Sequence, residues 1–202
     1  MANWYTADTH FGNDSKQVLI RDNRPYKDIT EYTEDQVRIW NEQASESDTI
    51  YVLGDFCNYF EGLETDYMSG LAVSAKIRAN IVLITGNNEE RVIDKFFDGD
   101  LEKFRSFCLN EPSLKFADVK KNDYVTIEGR RFFLTHKPTD HADDCLTLFG
   151  HVHRGVGLYR PYGFNVGVDL NHFRLFGDPD IKMLLKQKKD YWDKDPDCKC
   201  NE

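Results

Sequence analysis

Seven side chains with metal-binding chemistry recur along the 202-residue sequence at the ends of short apolar runs. In order they are Asp8 and His10 in an Asp-x-His pair, Asp55 after Gly54, Asn87 after Gly86, His136, and His151 and His153 in a Gly150-His-Val-His segment. Imidazole and carboxylate together suit divalent transition metals such as Mn, Fe, Zn, Co and Ni. Each pair or single histidine is unremarkable alone. The ordered conjunction, with every member behind an apolar run, is what points to one site.

The runs that must position these groups are Asn3 to Ala7, Thr49 to Leu53, Asn80 to Thr85, Arg131 to Thr135 and Cys145 to Phe149. They have strand length, and most are rich in β-branched or aromatic residues. Their near-continuous apolarity predicts central strands covered on both faces. Between them, Thr33 to Trp40 predicts a helix capped at Thr33 or Thr30, and Leu63 to Ala79 and Glu89 to Phe97 predict two more. Alternating strand and helix predicts a layered α/β fold. In such sheets ligands gather beyond the carboxyl ends of strands, where all five polar clusters fall. Gly54, Gly86 and Gly150 each precede a candidate ligand, as a sharp turn or a close backbone approach would require. After His153, Gly163 to Asp169 is the clearest of two or three further strands.

The composition fits a single globular domain: 40% hydrophobic, 13% aromatic, with no apolar run near the roughly 20 residues of a membrane helix. Residues 1–185 read as the catalytic domain and 186–202 as a charged C-terminal tail. The N-terminus lacks the basic and apolar regions of an export signal, so the expected location is cytoplasmic. A formal net charge of −9, spread along the chain, argues against an extended nucleic-acid surface, because phosphate contacts dominate that affinity. Cys57, Cys108 and Cys145 read as buried free thiols. Cys198 and Cys200 form only one C-x-C pair, too few for a structural zinc site.

The ordered set Asp8-x-His10, Gly54-Asp55, Gly86-Asn87, His136 and Gly150-His-Val-His153 resembles that of the calcineurin-like metallophosphoesterases, over roughly residues 4 to 170. Asp8-Thr-His-Phe-Gly12, Asn23-Arg-Pro25 and Trp40-Asn41 are similar to a compact bacterial and bacteriophage branch of that family. The resemblance implies a four-layer α/β/β/α sandwich of two mixed sheets flanked by helices. It further implies that Asp8, His10, Asp55 and His153 hold one divalent ion. Asp55, Asn87, His136 and His151 would hold a second, with Asp55 bridging and Mn²⁺ the favoured metal. Two such ions outweigh the charges of Asp8, Asp55 and a bridging hydroxide, so the inner site attracts an anionic phosphate ester even in an acidic chain. They would lower the pKa of bound water towards neutrality and so provide the nucleophile.

One departure bears on the chemistry. Many members of the family carry histidine after the Gly-Asn pair, where this sequence has Asn88; an amide donates a hydrogen bond but is no acid near neutral pH. Asn13 likewise stands where the branch often has histidine. Asp55, Asn87, Asn88 and His151 are the expected catalytic set, with Arg24 and Asn88 the candidates for substrate. His141 and His172 are further candidates near the substrate, and the segment around Phe56, Tyr59 and Phe60 reads as core packing, with a pocket lining as the alternative. The expected reaction is hydrolysis of small or nucleotide-like phosphodiesters. The alternatives are a phosphomonoesterase or protein phosphatase, and a non-catalytic scaffold on the same fold. No second domain or basic surface favours a capped nuclease.

Overall fold

A computed structural model describes residues 1–12, 16–155, 157–159 and 163–189. Asn13 and the Cys198/Cys200 pair lie outside the described residues.

The five expected runs are strands: β1 (Asn3–Thr6), β2 (Thr49–Leu53), β3 (Asn80–Ile84), β6 (Arg130–Leu134) and β7 (Leu146–Phe149). The chain adds β4 (Asp118–Lys120), β5 (Asp123–Ile127), β8 (Leu158–Tyr159), β9 (Gly163–Asn165) and β10 (Phe176–Gly177). They form two five-stranded sheets, ordered β10-β1-β2-β3-β4 and β5-β6-β7-β9-β8. In the first, β1 to β4 are parallel and β10 antiparallel; in the second, β6, β7 and β9 are parallel with antiparallel edges β5 and β8. The fold is therefore α/β with two mixed sheets, as the sequence leads one to expect.

Two apolar clusters hold these layers. Tyr5, Leu53 and Ile84 meet Phe132, Leu148 and Phe164 between the sheets. On the other face of the first sheet, Ile50, Val52, Ile81 and Leu83 pack beneath helical residues Trp40, Tyr67, Leu71, Val92 and Phe104. Burial on both faces explains why β2 and β3 read as continuous apolar runs.

The helices are α1 (Lys16–Arg21), α2 (Ile29–Gln43), α3 (Glu64–Leu71), α4 (Asn87–Phe96), α5 (Leu101–Asn110) and α6 (Asp178–Gln187). Helix α2 starts earlier than Thr33 because Asp28, in an extended conformation, caps it by accepting the Glu31 N–H. Its buried Tyr32, Gln36 and Trp40 recur every four residues on the face turned to the sheet. The helix expected over Leu63 to Ala79 is α3 followed by a 3₁₀ turn, Ala72–Lys76. The strand expected over Gly163 to Asp169 stops at Asn165, and Val168–Leu170 form another 3₁₀ turn. Helix α6 includes Lys186 and Gln187, the first residues of the expected tail. Cys57 and Cys108 are buried free thiols, whereas Cys145 is only half-buried. Among the described residues no helix is long and apolar enough to cross a membrane.

Candidate metal centre

The loops after β1 and β2 continue the parallel ladder beyond the strands. Asp8 N–H donates to the Gly54 carbonyl at 3.1 Å, His10 N–H to Asp55 at 3.0 Å and Phe11 N–H to Phe56 at 2.8 Å. Gly150 N–H donates to the His136 carbonyl at 2.9 Å within the second sheet, and Val168 N–H donates to the Ala7 carbonyl at 3.0 Å, which joins the two sheets at the same end. The seven candidate ligands thereby converge although they are spread over residues 8 to 153.

Asp8, His10, Asp55, His151 and His153 all adopt positive φ, between 45° and 73°. That left-handed region is sparsely populated by non-glycine residues, and such conformations cluster where a surrounding structure imposes them. Gly54 (φ 82°) is required for a second reason: a Cβ there would collide with the His136 ring. At Gly86 a Cβ would strike the Asp55 carboxylate, so the expected close approach is real.

On one side of Asp55, His10 Nε2 lies 3.8 Å from Oδ2, and His10 and His153 approach Nε2 to Nε2 at 3.2 Å. Asp8 Oδ1 lies 3.9 Å from His153 Nε2. On the other side, His136 Nε2 lies 3.6 Å from Asp55 Oδ1 and 3.0 Å from Asn87 Oδ1, and His151 Nδ1 is 3.0 Å from the same amide oxygen. The ligand atoms of Asp8, His10 and His153, and those of Asp8, Asp55 and His136, form compact groups able to hold a cation.

The orientation of His136 tests that fit. Its Nδ1 faces the Leu53 carbonyl at 2.9 Å, an arrangement in which Nδ1–H must donate. In the neutral ring the Nε2 lone pair then points at the Asn87 and Asp55 oxygens. His136 Nε2 and the Asn87 and Asp55 oxygens thus face one another, an arrangement suited to holding a cation. His153 also turns its Nδ1 to acceptors, 2.8 Å from Asp22 Oδ2 and 3.8 Å from Asp169 Oδ2.

Burial and neighbouring charge set the proton affinities. Burial pushes the Asp8 carboxyl up to about 6, against the nearby His136 and His153 rings. Burial, and then the charge of His153, keep His10 well below the usual imidazole range. Burial, then His136, also lowers His151. For His153, burial opposes a charged ring, but the hydrogen bonds to Asp169 and Asp22 outweigh it and push the ring up to about 9.

Three residues that sequence reading overlooks support the cluster. Glu89 is fully buried, and its carboxylate accepts the N–H groups of Gly86 at 2.8 Å, Asp55 at 2.9 Å and Phe56 at 3.1 Å. Burial and the neighbouring Asp55 carboxylate raise its pKa to about 7. Its signal in the sequence is the third position of α4, where a glutamate reaches back to the N-cap backbone. Asp22 and Asp169 gave no signal through spacing, since the chain brings them to His153 from opposite ends.

Arg24 requires a correction. Its side chain is 0% exposed, and its guanidinium meets Asp169 (2.9 Å to each oxygen), the carbonyls of Asp8 (2.7 Å) and Thr9 (3.1 Å), and the Tyr32 hydroxyl (3.0 Å). All five N–H donors are thus committed inside the protein, leaving none for a phosphate. Arg24 braces the first ligand loop.

Asn88 is buried beside the centre. Its N–H donates to Asp55 Oδ1 at 2.9 Å and its Oδ1 accepts the Tyr59 N–H at 3.2 Å. Phe56 is core, whereas Tyr59 also lines an apolar cavity of about 180 Å³ with Phe96 and Phe107. His141 faces Asp143 at 3.7 Å, and His172 is exposed.

The family model for calcineurin-like phosphoesterases matches residues 4–193. No curated protein matches the chain. Among solved structures, a protein of unknown function from Aquifex aeolicus is similar with a TM-score of 0.62 at 19% identity, over 91% of this chain and 98% of that one. This last likeness bears on the fold alone.

Proposed function

The chain belongs to the calcineurin-like phosphoesterase family, and within it we propose a dinuclear phosphodiesterase acting on small or nucleotide-like diesters. The family is one of metal-dependent hydrolases of phosphate esters, and groups able to hold a cation are present here. In the proposed centre Asp8, His10, Asp55 and His153 hold one divalent ion, and Asp55, Asn87, His136 and His151 hold the other, with Mn²⁺ the favoured metal. The observation that carries this reading is the meeting of His136 Nε2, the Asn87 amide oxygen and an Asp55 carboxylate oxygen around one point, with His136 Nδ1 turned to the Leu53 carbonyl.

When bound, such ions activate water as a nucleophile near neutral pH and stabilise charge on phosphate oxygens. The chain's own groups do the rest. The Leu53 carbonyl and the Asp22 carboxylate fix the tautomers of His136 and His153. Asp55 lies between the two histidine groups, 3.8 Å from His10 and 3.6 Å from His136, and so suits a bridging role. Asn88 accepts the Tyr59 N–H with its amide oxygen, and its NH₂ is the donor this reading assigns to a substrate oxygen. It offers no proton to the leaving group, so diesters with acidic leaving groups are the preferred class. The buried free thiols Cys57 and Cys108 support action in the reducing cytoplasm.

The test is metal reconstitution followed by elemental analysis and turnover of bis(p-nitrophenyl) phosphate and p-nitrophenyl phosphate. Two ions per chain, activity lost to chelators and restored by Mn²⁺, and faster diester cleavage are expected. Absence of stoichiometric metal would overturn the reading. Faster monoester cleavage would make the protein a phosphomonoesterase, and metal without turnover would mark a scaffold.

A further inference from the structure

We infer that Arg21, the last residue of α1, is the guanidinium that grips the substrate's phosphate at the mouth of the proposed centre. The inference rests on the function proposed above. Burial removes Arg24 from that task, as its five donors all end on protein groups. Arg21 is placed differently. Its side chain is 57% exposed, yet it is held: Nε lies 3.1 Å from Asp22 Oδ1 and Nη2 2.9 Å from Asp22 Oδ2. This two-point contact fixes the plane of the fork while leaving its outer edge to solvent.

The same Nη2 lies 3.2 Å from His153 Nδ1 and 3.0 Å from His153 Nε2. Near-equal distances to both ring nitrogens put it over the imidazole rather than on either lone pair. His153 Nε2 therefore keeps its direction towards Asp8 and His10, and the cation lies beside the ligand cluster instead of in it. Among the described residues Nη1 has no protein acceptor, so its two N–H donors remain for a ligand. A pre-oriented guanidinium edge beside a phosphate-cleaving centre matches the non-bridging oxygens of a phosphate, which an ammonium would meet only as a point charge. Asp22 serves two ends at once, holding Arg21 by both oxygens and His153 Nδ1 by Oδ2. That shared carboxylate ties the position of the phosphate grip to that of the ligand.

The test uses the metal-loaded full chain and inorganic phosphate as the probe, with Arg21→Ala and Arg21→Lys as variants. Titration calorimetry should show phosphate affinity falling about tenfold in Arg21→Ala, as loss of a charge-assisted contact predicts. Arg21→Lys should recover only part of it, because the fork is gone. Metal stoichiometry should match the wild type in both, and KM for the diester should rise more than kcat falls. Unchanged phosphate affinity in Arg21→Ala, beside a wild type that is loaded and active, would overturn the role of Arg21 alone. A loaded wild type that neither binds phosphate nor cleaves diesters would overturn it together with the proposed function.

Discussion

Glu89 Oε2 accepts the backbone N–H of Asp55 at 2.9 Å, and through the same atom that of Gly86 at 2.8 Å, so one buried carboxylate ties the loop after β2 to the loop after β3. Each loop carries a proposed ligand of the second ion. Glu89→Gln would keep the size but turn an NH₂ towards at least one of the three N–H groups. The expected result is metal affinity reduced roughly 10–100-fold, the range for groups that orient ligands from behind. Calorimetric titration of metal into wild type and variant checks it, with amide hydrogen exchange at Gly86, Asp55 and Phe56 showing whether the clamp has opened.

Arg24 and Asp169 form an ion pair in which both side chains are 0% exposed. Removing one partner leaves a buried charge, so Arg24→Met should destabilise by about 3–5 kcal/mol. The double variant Arg24→Met/Asp169→Leu should lose less than the sum of the single losses. Urea unfolding of the metal-free proteins measures both quantities. A wild-type midpoint in Arg24→Met would contradict the bracing role.

The proposed function makes Asn88, an amide and no acid near neutral pH, a test of how the leaving group departs. Without a nearby acid the alkoxide must depart carrying charge, so the rate should fall steeply as the parent alcohol becomes less acidic. General acid catalysis typically contributes ~10²–10⁴-fold, which Asn88→His should partly supply for alkyl diesters. The substitution also alters the acceptor used by the Tyr59 N–H, so metal content is measured beside the rates. A shallow wild-type dependence, unchanged in the variant, would mean that another group already serves as acid.

The metal-free protein should lose stability in a defined pH window. His153 has its pKa raised to about 9 by the Asp169 and Asp22 hydrogen bonds, against the opposing effect of burial. A group with a raised folded pKa contributes stability fully present below its unfolded value, near 6.5, and lost as the pH rises through the folded value. Unfolding midpoints should therefore fall between pH 6.5 and 9, and Asp22→Asn should flatten the slope. A flat wild-type profile would count against the His153–Asp22 pairing.

Much of the candidate centre was legible because its candidate ligands stand directly behind apolar runs buried on both faces, such as Thr49 to Leu53 and Asn80 to Ile84. Runs of that kind declare both a strand and its end. Elements with half-exposed patterns were harder to see. Strand β5 alternates, and its hairpin to β6 turns at Glu128-Gly129, both with positive φ, a local signal that is easily passed over. Helix α5 likewise has its own cap, Asp100, and buries Phe104 and Cys108. Asp22 and Asp169 could not be found from spacing, because a carboxylate's second partner lies across the fold. Arg24 was misread for a related reason: an arginine beside a ligand loop looks the same in sequence whether its fork faces solvent or the Asp169 carboxylate.

The left-handed backbone of the ligands carries a consequence for how this protein could be made sturdier. His151 sits at φ 73° with an exposed side chain. Holding a β-carbon in such a conformation costs about 1–3 kcal/mol, whereas glycine adopts it freely at an entropic cost of about 0.5–1 kcal/mol. His151→Gly should therefore give a metal-free protein about 1 kcal/mol more resistant to denaturant than the wild type, and one that no longer turns over substrate. A denaturant midpoint raised in His151→Gly would show that the backbone at this position is held against its own preference.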